Sequence, residues 1–379
     1  MTIGASAGGS LLAARICGPG NYARVIIAVS LVSIVLDFID FGGASWAARE
    51  LAAGRIDARF FKGVWISRVF FLSMIPVILF TSIFFVSIPS YLLVLSFYPM
   101  LWVTANYFQQ YCFVTRGYFF LSISYFLERA SWFLTYVFHR MQWNATLSFA
   151  SAIVLGLLFH AGLGNYYMSR IGKRKIFSSL QIFNMYKLHY NFGIMGFISD
   201  FASTDTFLVR MISSVHNAGI YSVPLKLQNP FTFGFSLFVS KNRPDFATCD
   251  REKILNAVRR EWLLPVMNSF GLIIAVFFSK QFAEIVGSGY QGVIPVFIVI
   301  CVSYIFLGFY ETFVAIISNL KREGLVAQIS TVTTILNLIF IAVGVKVDGP
   351  LGAACGYFIG RITAFVVSGI FLSSVWRAL

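Results

Sequence analysis

Residues 293–317 read VIPVFIVICVSYIFLGFYETFVAII, a stretch of 25 residues in which Glu311 is the only charged side chain. A helix of about 20 apolar residues crosses the roughly 30 Å hydrocarbon core of a bilayer. Lipid offers no hydrogen-bond partners, so a chain inside it must pair its own backbone groups, as a helix does. A buried strand would be much shorter than this stretch. The stretch therefore predicts a membrane-spanning helix.

Ten further runs of similar composition lie along the chain. They are residues 25–41, 63–88, 91–114, 117–138, 147–168, 190–212, 218–240, 262–279, 325–346 and 350–374. Hydrophobic residues make up 58% of the chain and charged residues 12%, and the mean hydropathy is +0.79. A soluble protein carries about 25% charged residues. These observations predict an all-α, polytopic membrane protein with about eleven complete spans.

The basic residues are concentrated in every second gap between the apolar runs. Of the 29 lysines and arginines, 19 lie in this set of gaps. They are Arg49, Arg55, Arg59, Lys62, Arg116, Arg170, Lys173, Arg174, Lys175, Lys187, Lys241, Arg243, Arg251, Lys253, Arg259, Arg260, Lys321, Arg322 and Arg377. Basic residues near helix ends stay on the cytoplasmic side, so these gaps and the C-terminus are predicted to be cytoplasmic. The net charge of +14 is then a topology signal, and no nucleic-acid partner is predicted.

The first residues of the chain resemble the end of a further helix. With eleven spans and a cytoplasmic C-terminus, the start of the run 25–41 lies outside. Residues 3–16, IGASAGGSLLAARI, are mostly apolar but too short to cross a membrane alone. We therefore expect a truncated first helix in a design of twelve spans.

Several charged side chains lie within the predicted spans. Each costs roughly 2.5–3.5 kcal/mol to insert near the bilayer centre, so it is expected to face a partner or an aqueous cavity. The cations are Arg129, Arg210, Lys226 and Arg361, and the acids are Glu128, Asp200, Asp205 and Glu311. Arginine binds phosphate oxygens through two parallel hydrogen bonds. The set predicts a cationic cavity for an anionic head group, with the carboxylates as candidate carriers of a coupling proton or sodium ion.

Some of these charges have a structural alternative. Glu128 and Arg129 are sequence neighbours that point about 100° apart on a helix, which makes them poor partners for each other. They are therefore expected either to pair with other helices or to line the cavity. Arg210 could instead extend to the outer membrane surface.

Two further acids lie at the inner end of the run 25–41. Asp37 and Asp40 are three residues apart and share one helix face. A carboxylate at the C-terminus of a helix opposes the helix dipole, so a cationic partner is expected. Arg49 or Arg68 would supply it.

The sequence shows no pattern typical of catalysis or metal binding. The five cysteines are scattered and include no CxxC pair, which argues against zinc and against a disulfide framework. The histidines are isolated and show no spacing of a nucleophile and a base; they are His139, His160, His189 and His216. Every gap predicted to lie outside is too short to hold a catalytic domain. We therefore predict that the chain is no enzyme and needs no cofactor or metal.

Five short strings resemble one family of membrane transporters. They are residues 37–52 (DFIDFGGASWAARELA), 18–22 (GPGNY), 215–223 (VHNAGIYSV), 286–290 (VGSGY) and 348–354 (DGPLGAA). In their order and spacing they resemble the Wzx-type O-antigen and polysaccharide repeat-unit flippases, a polysaccharide transporter family related to the multidrug and toxin extrusion exporters. The family motif of the inner loop matches this chain at Asp37, Asp40, Arg49 and Glu50.

The resemblance implies a fold and a cargo. Two six-helix bundles with pseudo-two-fold symmetry are expected: residues 1–168, a basic cytoplasmic linker at 169–189, and residues 190–379. The cargo would be an undecaprenyl-pyrophosphate-linked oligosaccharide, flipped across the bacterial inner membrane for O-antigen or exopolysaccharide biosynthesis. Alternating access driven by a proton or sodium gradient is the expected mechanism. Membrane lipids and other polysaccharide-assembly membrane proteins are the further expected partners.

Other functions stay open on this evidence. An exporter of drugs or organic cations and a lipid II flippase share the expected fold. The cations within the spans favour an anionic cargo over a cationic one. A membrane glycosyltransferase or polymerase is a more distant alternative, against which the short outer gaps argue.

Overall fold

The computed structural model describes most of the chain, with gaps. The described residues are 2–84, 86–170, 190, 193–194, 197–198, 201, 204–226, 252, 256, 259, 263–319 and 322–377. Every regular element among them is a helix, which confirms the all-α prediction for this part of the chain.

The chain divides into two compact units. Unit 1 consists of Met1–Cys17 and Arg24–Phe201, and unit 2 of Gly18–Ala23 and Ala202–Leu379. The predicted linker 169–189 lies almost entirely outside the described residues. The division into bundles 1–168 and 190–379 stays a prediction.

Nine α-helices precede the first long gap in the described residues. They are α1 (Thr2–Asp40), α2 (Gly43–Ala52), α3 (Ala58–Leu72), α4 (Met74–Ser82), α5 (Ser90–Leu95), α6 (Tyr98–Thr115), α7 (Tyr118–Ala130), α8 (Leu134–Arg140) and α9 (Ala145–Ser169). α1 is broken at Gly18, whose φ of 66° and ψ of 166° interrupt the helix just before Pro19. Glycine tolerates a positive φ, and proline suits the first turn of the helix that follows. Residues 3–16 lie in the part of α1 that precedes this break.

The run 117–138, expected to be one helix, is divided in the structure. A 3-10 turn at Ser131–Phe133 separates α7 from α8. The hydroxyl of Ser131 lies 2.6 Å from the carbonyl oxygen of Glu128 and 3.0 Å from that of Ala152 in α9. A serine that bonds back to its own helix competes with the backbone ladder and bends the helix. The prediction of an unbroken helix was wrong because this local hydrogen bond leaves no trace in the hydropathy.

The helices that follow belong to unit 2. They are α10 (Asp205–Ile212), α11 (residues 215–226), α12 (Leu263–Phe277), α13 (Ser279–Val286), α14 (Val293–Asn319) and α15 (Glu323–Arg377). α15 is broken at Asp348 (φ −147°, ψ 39°) and Gly349 (φ 51°, ψ −128°), just before Pro350. We name its halves α15a (residues 323–347) and α15b (residues 350–377). The break confirms the gap predicted between the runs 325–346 and 350–374.

The two halves of α15 pack against each other through glycines. A Cβ atom added to Gly356 would meet the carbonyl oxygen of Phe340, and one added to Gly352 would meet that of Gly344. A Cβ atom added to Gly360, one turn further on, would meet the side chain of Asn337. Gly352 faces Gly344, so the order of the contacts makes the halves antiparallel. Small residues spaced four apart let membrane helices approach closely. α15a and α15b are therefore in backbone contact.

Five helical stretches of the described residues are long and apolar enough to cross a membrane. They are Gly8–Asp40, Ala58–Ser82, Ala145–Ser169, Val293–Ser318 and Gly324–Val375. A sixth results if Ser269–Phe277 and Ser279–Val286, which meet at 68°, form one bent span. The chain is thus a multi-pass integral membrane protein. The arrangement of eleven spans in two six-helix bundles stays a prediction.

Candidate functional site

Arg361 lies in a tyrosine-rich cluster of unit 2. It follows Tyr357 by one turn of α15b, and its guanidinium carbon lies over the Tyr357 ring, 4.4 Å from the centroid. The ring of Tyr304, on α14, stacks on Tyr357 with the centroids 6.2 Å apart. Tyr304 also donates a 3.2 Å hydrogen bond to the carbonyl oxygen of Leu225 in α11. The cluster therefore joins α11, α14 and α15b.

The guanidinium of Arg361 has hydrogen-bonding capacity to spare. It carries five N–H donors in a planar fork. Among the described residues its Nε is buried without a hydrogen-bond partner, and its charged face lies on the ring of Tyr357. A buried donor left unpaired costs about 1–3 kcal/mol. A ligand that accepts hydrogen bonds at this position would recover that free energy.

Asp205 supplies a buried carboxylate to the same unit. It is the first residue of α10, and 5% of it is exposed. The carboxylate accepts hydrogen bonds from the Tyr221 hydroxyl at 3.1 Å and from the Thr206 backbone N–H at 2.6 Å. Lys226 and Arg361 act on it electrostatically. Asp205 is therefore fixed in position in the field of two cations.

The other predicted residues of unit 2 are placed differently. Glu311, on α14, interacts electrostatically with Arg361. Arg210 is exposed in the last turn of α10, which agrees with the alternative in which its side chain extends to the surface. Asp200 lies outside the described residues. Four of the predicted residues thus interact electrostatically: Arg361 with Asp205 and Glu311, and Lys226 with Asp205.

In unit 1, Asp40 is buried beneath the turn that leads from α1 to α2. The turn passes through Gly42 (φ 72°), and the backbone N–H of Ala44 donates to Oδ2 of Asp40 at 3.3 Å. The Tyr107 hydroxyl, on α6, donates to Oδ1 at 2.8 Å. The Nε of Arg68 lies 4.0 Å from the same oxygen, and 1% of the Arg68 side chain is exposed. Of the two partners considered for Asp40, the structure shows Arg68.

Arg49 instead pairs with the residue beside it. Its Nη2 lies 3.3 Å from Oε1 of Glu50, and the Nε of Arg55 lies 3.1 Å from Oε2. The backbone N–H of Arg55 also donates to the carbonyl oxygen of Glu50 at 2.9 Å. Asp37, one turn before Asp40, is partly buried. The inner-loop residues thus organise the connection from α1 to α3, and a part in transport stays a prediction.

Glu128 is bound on both sides. Its Oε2 lies 2.6 Å from Nδ1 of His160 in α9, and its Oε1 lies 3.4 Å from Nη2 of Arg129. Glu128 thus pairs with a residue of another helix, which is one of the two alternatives expected for it. The expectation that Glu128 and Arg129 would be poor partners was wrong, because both side chains are long enough to close the angle between them. Glu128 and His160 are 32 positions apart, so the sequence gives no spacing signal for the pair. The one hint in the sequence is Gly156, one turn before His160, because a glycine lets the helix of Glu128 approach closely.

No protein-family model matches the chain, and no curated protein matches its sequence. Solved structures do match its fold. An inward-facing multidrug resistance MATE family transporter of the MOP superfamily superposes with a TM-score of 0.73 at 13% identity, over 100% of this chain and 95% of that chain. An outward-facing conformation of a multidrug resistance MATE family transporter gives a TM-score of 0.73 at 14% identity, over 100% and 94%.

A third matching structure differs from these two in the polarity of its binding pocket. It is a MOP superfamily transporter from Pyrococcus furiosus, whose binding pocket is described as having reverse polarity that suggests a different function. It superposes with a TM-score of 0.64 at 14% identity, over 100% of this chain and 96% of that chain. Identities this low establish a shared fold and no finer relation. The chain therefore has the fold of the MATE-type transporters of the MOP superfamily.

Proposed function

We propose that this protein is a flippase for undecaprenyl-pyrophosphate-linked oligosaccharides. It would work by ion-coupled alternating access in the bacterial inner membrane, with its C-terminus in the cytoplasm, and would serve O-antigen or exopolysaccharide biosynthesis. The observation that carries the proposal is Arg361, a guanidinium in a long apolar helix that lies on the ring of Tyr357 and whose Nε is buried without a hydrogen-bond partner among the described residues. Such a group would be stabilised by an anionic or strongly accepting ligand.

A pyrophosphate group would complete the hydrogen bonding of this cluster. Guanidinium and phosphate oxygens form two parallel, charge-assisted hydrogen bonds. Lys226 adds a second positive charge, and the hydroxyl of Tyr357 can donate to a bound oxygen. Attraction between charges is stronger in a low-dielectric surrounding than in water. The low-dielectric surrounding that makes Arg361 costly in the empty protein also strengthens its attraction to a bound pyrophosphate.

The carboxylates of the cluster have a part when no cargo is bound. Asp205 and Glu311 both act electrostatically on Arg361. They offset the charge of Arg361 in the empty protein. This lowers the free-energy cost of the conformational change by which the protein returns without cargo. As ionisable groups within the membrane they are also candidates for binding the coupling ion.

An exporter of drugs or organic cations is the second candidate. Two of the matching structures are described as multidrug resistance transporters. In that case Asp205 and Glu311 would bind a cationic cargo, and Arg361 would repel it. Because this fold is also described with a pocket of reverse polarity, the charges of this chain decide between the candidates, and they favour an anion. A lipid II flippase would use the same pyrophosphate chemistry with a different sugar.

Reconstitution in liposomes tests the proposal. A fluorescent undecaprenyl-pyrophosphate-linked saccharide is added, and dithionite, which bleaches only the outer leaflet, reports the rate of flipping. Arg361→Gln should lower the rate at least tenfold, which corresponds to about 1.4 kcal/mol. Arg361→Lys should be intermediate, since it keeps the charge and loses the planar fork. Arg377→Gln, exposed at the end of α15b, is the matched control and should flip at the wild-type rate.

The outcomes separate the candidates. A wild-type rate for a folded Arg361→Gln variant contradicts the role of the cluster. Transport of a fluorescent organic cation such as ethidium, without flipping of the lipid, establishes the exporter instead. Flipping restricted to lipid II identifies the third candidate.

A further inference from the structure

Arg116 ends α6 in a backbone conformation that seldom carries a side chain. Its φ of 59° and ψ of 29° are left-handed, and its backbone N–H donates to the carbonyl oxygen of Cys112. Glycine is the usual residue at such a helix end, because it has no Cβ atom to clash with the backbone. The side chain of Arg116 is exposed. Backbone strain of this kind clusters at functional sites, so the guanidinium of Arg116 calls for a function.

Arg170, which follows the last residue of α9, lies at the same end of unit 1. The turn from α6 to α7 contacts α9 there: a Cβ atom on Gly117 would lie 3.1 Å from the hydroxyl of Tyr167. The ring centroids of Phe120 and Tyr167 are 5.1 Å apart. Tyr167 precedes Arg170 by three positions, and Gly117 directly follows Arg116. The two arginines therefore flank one contact between the turn and α9.

The guanidinium of Arg170 is held in place by Tyr166. Its carbon lies 4.8 Å from the centroid of the Tyr166 ring, and Nη2 donates a 2.5 Å hydrogen bond to the Tyr166 hydroxyl. A guanidinium carries five N–H donors, so this bond leaves others for a ligand. A side chain that is already held in one orientation loses less conformational entropy when it binds. Arg170 is thus preorganised to bind an anion.

No acidic side chain forms an ion pair with Arg116 or Arg170 in the described part of the chain. Between Asp57 and Asp200 the sequence contains a single acid, Glu128. The carboxylate of Glu128 already lies against the side chains of Arg129 and His160. That of Asp57 accepts a backbone N–H at the start of α3. An anion from outside the chain is therefore the ligand that fits the two arginines.

The depth of the two arginines in the membrane points to a lipid. The candidate span Ala145–Ser169 has 25 residues. At roughly 1.5 Å per residue it is about 37 Å long, somewhat more than the hydrocarbon core of about 30 Å. Arg170 directly follows this span and so lies at the level of the lipid head groups. Exposed rings accompany it, namely Tyr118 (43% exposed), Phe119 (72%) and Tyr166 (58%). Tyrosine is typical of the membrane interface.

We propose that Arg116 and Arg170 form a binding site for the head group of an anionic phospholipid. Both arginines lie in the basic gaps that predict the cytoplasmic side, where anionic lipids are concentrated. Each guanidinium can bind phosphate oxygens through two parallel hydrogen bonds. A zwitterionic head group fits less well, because its own cation would be repelled by the two arginines. The site belongs to unit 1 and is separate from the Arg361 cluster of unit 2.

Photo-crosslinking locates the bound lipid. The full chain in detergent is exposed to phosphatidylglycerol with a diazirine on its head group, and the labelled peptides are identified by mass spectrometry. We expect label in the turn from α6 to α7 and at the end of α9. Arg116→Gln combined with Arg170→Gln should lower this labelling about tenfold. Arg55→Gln is the matched control and should keep the wild-type labelling, because Arg55 is an exposed cation that Glu50 already pairs.

Arg116→Gly separates binding from folding. Since glycine suits the left-handed conformation, this variant should melt at or above the wild-type temperature in detergent without phospholipid. A ligand that binds the folded protein raises its melting temperature. The rise on adding phosphatidylglycerol should therefore be smaller in Arg116→Gly than in the wild type. A lower starting temperature with an undiminished rise would show that Arg116 serves the fold and binds no lipid.

Three further results would overturn the inference. The first is equal labelling by the same diazirine probe built on phosphatidylcholine, which would remove the preference for a negative head group. The second is unchanged labelling of the double variant. The third is displacement of the label by equimolar inorganic phosphate, which would identify a site for a free ion. All of these measurements are made without transport, so a failure of the flipping assay leaves the lipid site standing.

Discussion

The hydroxyl of Tyr107 donates a 2.8 Å hydrogen bond to Asp40, which lies 67 positions earlier in the chain. Arg68, on α3, approaches the same carboxylate oxygen at 4.0 Å. Three helices of unit 1 thus meet at one buried carboxylate. The turn from α1 to α2 is anchored by side chains that lie far away in the sequence.

Tyr107→Phe should destabilise the protein. The variant leaves the Asp40 carboxylate short of one donor in a buried place, which costs about 1–3 kcal/mol of the free energy of unfolding. Thermal unfolding in detergent measures the loss. Tyr118→Phe, on the exposed side of α7, is the control that loses a hydroxyl without losing a buried partner. Equal melting temperatures for the two variants would contradict the prediction.

Arg68→Met should be more damaging still. It leaves the carboxylate of Asp40 without its buried cation, and breaking a buried pair in this way costs about 3–5 kcal/mol. Asp40→Asn added to Arg68→Met removes the unpaired charge, so the double variant should recover part of the loss. Yield and melting temperature in detergent provide the measurement. Strictly additive effects would show that the two residues do not act as a pair.

Gly356→Leu should separate α15a from α15b. A side chain at this position meets the carbonyl oxygen of Phe340, and overpacking of this kind costs about 1–3 kcal/mol or more. Since Arg361 lies on α15b, the flip rate of the proposed flippase should fall with the stability. Gly369→Ala is the control within the same helix, because its Cβ would meet only the ring of Phe313, at 3.5 Å. Wild-type behaviour of both variants would rule out the close packing.

Asp205→Asn should strengthen the binding of anions. It removes a negative charge that acts on Lys226 and Arg361 and keeps an oxygen that accepts from Tyr221. We expect inorganic pyrophosphate to bind about tenfold more tightly, or about 1.4 kcal/mol, in calorimetric titration of the detergent-solubilised protein. Glu284→Gln, at an exposed position of α13, controls for the loss of an acid elsewhere. Unchanged or weaker binding would mean that Asp205 does not compete for these cations.

The positions of the long helices were predictable because the thickness of a bilayer sets their length. The run 147–168 is observed as Ala145–Ser169, and the run 293–317 as Val293–Asn319. The break before Pro350 was also visible as a short polar gap. The bend at Ser131–Phe133 was not, since it depends on one hydroxyl rather than on a change in hydropathy.

Which charges meet was harder to predict, because pairing depends on how the helices pack. Arg68 was one of two partners considered for Asp40, and packing against α3 selects it. Glu128 and His160 come together from different helices, and no spacing rule connects them. Composition places such groups at membrane depth and leaves their neighbours open.

The glycine spacing of α15b is a signal that was present and not used. Gly352, Gly356 and Gly360 recur every four residues, a pattern typical of closely packed membrane helices. The family resemblance, in turn, is supported at the level of the fold alone, since the fold matches that of MOP superfamily transporters at 13–14% identity. The narrower assignment to polysaccharide flippases remains a proposal, because local strings and a shared fold leave the cargo open.

The glycine contacts of α15 limit how unit 2 can move. Because main chain lies against main chain at Gly344, Gly352 and Gly356, little side-chain volume separates the two halves there, and the hairpin should move as one rigid body. Bending is then confined to its ends and to the corner at Asp348 and Gly349. Arg361 and Tyr357 both lie on this hairpin, so their mutual geometry should be the same in every conformation of unit 2.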